Sequence, residues 1–171
     1  MVTADVKVRM ANSVLDQATT LSVCTGVPNS GKSEFIDALV LSLALKHQWA
    51  TAFCSMEKMP TLHFQSLAEK LFGKPFTKGR KYSEGPGAGW MSEAEVNAAF
   101  HYFQVHFPLI RGDENMLPNI EWVLDRAKDT VLRYGIRGLV IDPYNELEHQ
   151  RPAHVTETEY ISKMLSKVRS K

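Results

Sequence analysis

Cysteine is scarce in this chain, and neither sign of charge is in surplus. The 171 residues hold two cysteines, Cys24 and Cys54, each inside a short apolar run. That is too few for a disulfide scaffold, so both are expected as reduced thiols packed as small hydrophobes in neighbouring strands. Lys and Arg number 20 against 19 acids, a formal net charge of +1. This excludes a global electrostatic pull toward nucleic acid or a membrane surface. Contact with nucleic acid would have to come from a local basic patch. No apolar run nears the roughly 18 residues that cross a bilayer, since Lys46 and His47 close the stretch from Val40 to Leu45. Residues 1–20 contain no signal-peptide core, and Asp5 and Asp16 beside Lys7 and Arg9 leave no evident transit peptide.

What is present is an ordinary globular composition, 44% hydrophobic and 23% charged, with room for one domain. Leu21 to Thr25 reads as a buried strand that runs into a glycine-containing loop. From Lys32 to His47, Phe35, Ile36, Leu39, Val40, Leu43 and Ala44 recur at helical steps, with Asp37 and Ser42 off the stripe. Thr51–Cys54 is a second strand. A helix from about Thr61 to Phe72 follows, its stripe Leu62, Leu67, Ala68 and Leu71. Residues 73–90 mix Gly73, Gly79, Gly85, Gly87 and Gly89 with Lys74, Lys78, Arg80 and Lys81, as a surface loop does. Ser92 and Glu95 form a capping box for a helix to about His106. A strand at 108–111 and a helix opened by Pro118 follow; Gly135 ends the helix, whose stripe is Ile120, Val123, Leu124, Ala127 and Val131. Gly138–Ile141 is a fourth strand. Thr156 and Glu159 then cap a helix striped by Ile161, Met164, Leu165 and Val168. Strands alternating with helices give an α/β class: a mostly parallel sheet with helices on both faces. The boundaries expected are an N-terminal segment at 1–20 and the domain proper at 21–171.

The sharpest signal is Gly26-Val27-Pro28-Asn29-Ser30-Gly31-Lys32-Ser33, a P-loop between a strand and a helix. Gly26 and Gly31 let the backbone curl so that successive N–H groups along the loop that holds Pro28, Asn29 and Ser30 point at phosphate oxygens. The helix N-terminus adds partial positive charge. Lys32 would reach the β- and γ-phosphates of a nucleoside triphosphate, and Ser33 would ligate Mg²⁺. A second carboxylate belongs at the end of an adjacent buried strand, and Gly138-Leu139-Val140-Ile141-Asp142 supplies it. Asp142 as a plain turn cap is the structural alternative. Pro143 follows Asp142, so no adjacent acid polarises an attacking water. Glu57, just after the second strand, and Glu146, in a loop, remain. Glu57 is preferred, because a strand end fixes position better than a loop does. His149, Gln150 and Arg151, or the basic residues of 73–90, could touch nucleic-acid phosphates; as loop charges they could equally be solvated.

The segments Thr25–Phe35, Cys54-Ser55-Met56-Glu57, and Gly138–Glu146 resemble the helicase domain of Twinkle-type primase-helicases. Glu148-His149-Gln150-Arg151-Pro152 and Thr156–Tyr160 are especially similar to the plant organellar members. The resemblance implies a RecA-like P-loop core of the DnaB-like, hexameric, 5′→3′ replicative helicases, with ATP and Mg²⁺ bound between subunits. It implies single-stranded DNA and a second copy of the chain as partners, and a mitochondrial or chloroplast location. It also implies that Glu57, in Ser-x-Glu, is the catalytic glutamate. Family helicase domains add a sensor strand, a DNA-binding loop and an arginine finger beyond the last helix here. The chain is therefore expected to be a core truncated on its C-terminal side, with slow turnover and an exposed apolar sheet edge after Asp142. The alternative is a non-motor ATP-binding or assembly module. A small-metabolite kinase is a third reading, disfavoured by the lack of an Arg-rich lid segment.

Overall fold

Short runs of β-branched and apolar residues bounded by loops make the strands here, and period-two alternation decides which face each side chain serves. The computed structural model describes residues 6–11, 19–27, 29–55, 59–76, 89–112, 118–142 and 156–170. Along the chain come strands β1 (Val6–Ala11) and β2 (Thr19–Cys24), helix α1 (Lys32–His47), strand β3 (Thr51–Ser55), and helices α2 (Pro60–Phe72), α3 (Glu93–His106) and α4 (Ile120–Tyr134). Strand β4 (Gly138–Asp142) and helix α5 (Glu157–Ser170) complete it. The class is α/β, as expected.

The four strands lie in the order β2-β1-β4-β3. β3 and β4 run parallel, from Thr51 opposite Gly138 to Ser55 opposite Asp142. β1 is antiparallel to both its neighbours, with Val6 opposite Cys24 on β2 and Lys7 opposite Ile141 on β4. The sheet is therefore mixed rather than mostly parallel among the described strands. Seven residues, 12–18, are too few for a crossover, which makes the β1–β2 pair antiparallel. β1 also corrects the expected bare edge after Asp142, since β4 is flanked on both sides. Cys24 and Cys54 are free thiols, but they sit on strands separated by β1 and β4, not on neighbours. The 108–111 segment makes a single bridge, Leu109 against Phe53, instead of a full strand. Phe53 donates its N–H to Pro108 O at 3.0 Å and accepts from Ile110 N–H at 2.8 Å.

Alternation in β3 and β4 divides the core in two. Ala52, Cys54, Leu139 and Ile141 pack with Val123 and Leu124 of α4 and Met164 and Val168 of α5. Phe53 and Val140 face the other way, into Ile36, Val40 and Ala44 of α1, Leu67 of α2, and Ala99 and Phe103 of α3. Helices thus cover both faces of the sheet. The expected stripe of α1 is rotated by one residue, and those of α2 and α4 each differ at one position. In α1, Ile36, Asp37, Val40, Leu41 and Ala44 are buried, while Phe35 is 63% exposed. His63 is buried in α2 where Leu62 is not, and Thr130 replaces Val131 in α4. Two caps are as read, Ser92 and Glu95 forming a reciprocal box and Gly135 closing α4 at φ 62°, while α4 starts at Asn119, which accepts from Trp122 N–H at 2.9 Å. Pro118 stands just before that cap, not in the first turn. No described helix is long and apolar enough to cross a membrane.

Candidate nucleotide-binding site

The loop from Gly26 to Gly31 leaves β2 and delivers the chain to α1. Two of its residues take left-handed backbone, Asn29 at φ 59° and Gly31 at φ 84°. Around Gly31 there is open space for a Cβ, so the dihedral, not crowding, calls for glycine there. Gly26 is constrained differently: a Cβ there would stand 3.1 Å from Ser30 Oγ. Ser30 N–H donates to Val27 O at 3.3 Å, closing the turn. Gly31 is the N-cap of α1 and offers no side-chain oxygen to the helix's first N–H groups. A helix start without a capping side chain presents those donors, and its dipole, to an anion.

Lys32 folds back over the loop, its Nζ donating to Gly26 O at 3.1 Å and Val27 O at 2.9 Å. The next residue makes the decisive contact. Ser33 Oγ donates to Asp142 Oδ2 at 2.8 Å, across 109 residues of sequence. The structure therefore brings the loop, Lys32, Ser33 and the acid at the end of β4 into one place. Among the described residues no cluster of three or more His, Cys, Asp or Glu could hold a metal. A serine hydroxyl beside a single carboxylate is still a fitting pair of hard oxygen donors for Mg²⁺, which takes few protein ligands and fills its shell with phosphate oxygens and water.

Pro28 and Glu57 lie outside the described residues, as do Glu146, His149, Gln150, Arg151, Lys78, Arg80 and Lys81. Of the basic residues in 73–90, Lys74 is described, and its Nζ pairs with Glu95 at 2.6 Å. Ser55, two residues before Glu57, sits opposite Asp142 in the parallel ladder. One buried polar pair was not foreseen: Asp37 of α1 with His63 of α2, at 2.9 Å. Its only sequence signal was an acid placed one position beside the apolar stripe. A cavity of about 520 Å³ opens where α2, α3 and α4 meet the 108–111 segment, between Phe53, His63, Phe64, Phe103, Arg126 and Arg133. It shares no residue with the loop from Gly26 to Gly31, nor with Lys32, Ser33 or Asp142.

No family model matches the chain, and no solved structure matches it. It is 49% identical over 149 residues to the Twinkle homolog protein, chloroplastic/mitochondrial, of Arabidopsis thaliana. The match takes in 87% of this chain and 21% of the relative, so the chain spans about a fifth of that protein's length. The resemblance read from the motifs is borne out: the likeness to a plant organellar Twinkle-type protein extends through most of the chain.

Proposed function

We propose, from a Twinkle-type likeness running through 149 residues, that this chain is the ATP-binding part of an ATP-dependent 5′→3′ DNA helicase acting in DNA replication. The observation that carries the proposal is the 2.8 Å hydrogen bond from Ser33 to Asp142 at the mouth of the P-loop. A glycine-rich turn serving only as a connection has no need of a hydroxyl pinned to a carboxylate 109 residues away. In this reading the backbone of Gly26–Gly31, with Pro28, Asn29 and Ser30, cradles the phosphates. Lys32 exchanges its two loop carbonyls for β- and γ-phosphate oxygens, a charge-assisted contact stronger than the neutral ones it leaves. Ser33 and Asp142 hold Mg²⁺, directly or through water, and the ion would neutralise charge developing on the phosphates. Glu57 follows Ser55 by two residues, within about 7 Å of extended chain from the residue opposite Asp142. That distance supports it as the base that orients the attacking water. The RecA-like topology, a hexameric ring of copies and contacts to single-stranded DNA near Arg151 belong to the same proposal. The organellar compartment in the relative's name is proposed for this chain too.

The test is ATP binding and hydrolysis by the purified chain, with and without single-stranded DNA. Lys32→Ala is expected to weaken MgATP binding at least tenfold and to abolish hydrolysis. Retention of affinity by Lys32→Ala would sink the assignment. Binding with a slow rate that DNA leaves unchanged would select the non-motor module instead.

A further inference from the structure

We infer that His63 and Asp37 are positioning residues for Ser33, fixing the P-loop helix so that its hydroxyl meets Asp142; this rests on the nucleotide reading above. Asp37 follows Ser33 by four residues, one helical turn along α1. Its side chain is almost wholly buried, as is that of His63 on α2. His63 Nε2 donates to Asp37 Oδ1 at 2.9 Å. A carboxylate taken out of water is costly unless a partner meets it, so the pair tolerates little misalignment.

The far side of His63 is fixed as well. Its ring stands edge-on to Phe53, with centroids 4.6 Å apart and planes at 86°. Phe53 lies in β3 opposite Val140, and Val140 precedes Asp142 on β4 by two residues. The contacts close a circuit: Ser33, one turn of α1, Asp37, His63, Phe53, the β3–β4 ladder, Asp142, and back to Ser33. Ile36, Val40 and Ala44 hold α1 against the sheet through apolar contact, which is non-directional. The Asp37–His63 bond is directional and adds a restraint on the helix's position. A shift of about 1 Å along the Ser33–Asp142 direction would stretch that bond past the limit of a useful hydrogen bond. Lys70 and Ser66 of α2 also reach Glu34 of α1, but that carboxylate is 59% exposed and these links are correspondingly weak.

The proposal separates from ordinary helix packing through the metal. If the pair acts on Ser33, its loss should appear in the Mg²⁺-dependent part of nucleotide affinity. ATP binding to the chain is measured by calorimetry with Mg²⁺ and again with EDTA, for the wild type, Ser33→Ala, His63→Leu and Asp37→Asn. His63→Leu is expected to weaken MgATP binding at least fivefold while ATP in EDTA changes less than twofold, matching Ser33→Ala. Asp37→Asn keeps an oxygen for His63 to donate to and is expected to hold affinity within about twofold of wild type. Equal weakening of His63→Leu in both conditions, or none, overturns the positioning role. Should His63→Leu fail to fold, Asp37→Ala with its melting curve takes its place under the same criterion. Wild-type binding without any Mg²⁺ dependence overturns the nucleotide reading itself.

Discussion

At the scale of single residues, Glu57 carries the proposed chemistry that is easiest to isolate. Glu57→Gln is expected to retain MgATP affinity within about twofold and to lower the rate of hydrolysis by at least a hundredfold, the scale on which a positioned general base contributes. Single-turnover measurement with labelled ATP checks it, and an undiminished rate would return the role to another acid. Glu95 tests electrostatics far from the site. The hydrogen bond from Lys74 first, and then that from the Ser92 backbone, hold its carboxyl down at about 2, against an ordinary 4.5. A depressed acid favours folding while it is charged. Its contribution is whole above about pH 4.5 and disappears as pH falls toward 2. Glu95→Gln is therefore expected to flatten the acid limb of stability in that window and to leave the dependence near neutrality unchanged, as read from unfolding midpoints at each pH. The Cys54 thiol is pushed up to about 12 by burial, which suits the inert core role expected for it. The convergence of the loop, Lys32, Ser33 and Asp142 was legible in the sequence because each residue type stands at a fixed offset from a strand or helix. Asp37 and His63 were not, since nothing local records which residues will meet across two helices.

At the scale of elements, caps were the most readable feature and helix faces the least. Ser92 with Glu95, and Thr156 with Glu159, declare their helix starts through side chain-to-backbone bonds that need no tertiary partner. Which face of α1 is buried depends on the sheet it meets, and burial rolled the helix one residue away from the Phe35 side, drawing Asp37 inward. Strand β4 carries its own constraint at Gly138, which faces Thr51 in the ladder. A Cβ at Gly138 would stand 2.9 Å from Thr51 Oγ1 and 3.1 Å from its Cγ2, and Thr51 is buried. Gly138→Ala is expected to cost about 1–3 kcal/mol, the usual range for overpacking. Chemical denaturation measures this, and Thr51→Ala in the same chain should recover much of the loss. Additive destabilisation in the double variant would contradict the contact.

At the scale of the whole molecule, the two-sided core followed from alternation in β3 and β4, but the strand order did not. Val6, Val8 and Met10 alternate with Lys7 and Arg9, a period-two signal of the kind a strand leaves. It was masked by the polar stretch around it, and pairing partners have no signature in a single sequence. β1 separates β2 from β4, so the strand leading into the P-loop and the strand ending in Asp142 stand two inter-strand spacings apart, about 10 Å. The Ser33–Asp142 bond joins the two halves, alongside the packing of α5 against β2 and of α1 against Phe53 and Val140. This bears on the order of assembly. β1 and β2 are near neighbours in sequence and can zip early, whereas seating them on β4 closes a very long loop and comes late. A ligand that bridges the P-loop and Asp142 can bind only after that closure, and it then holds the sheet shut. Such a ligand stabilises by about 2.7 kcal/mol at a concentration a hundred times its Kd. MgATP is accordingly expected to raise the melting temperature and to slow amide exchange in Val6–Ala11, a strand containing none of the proposed ligand-binding residues. An unchanged exchange rate there, with ATP bound, would mean the two halves close independently. Otherwise the nucleotide acts as the keystone of the sheet, set after the strands on either side are in place.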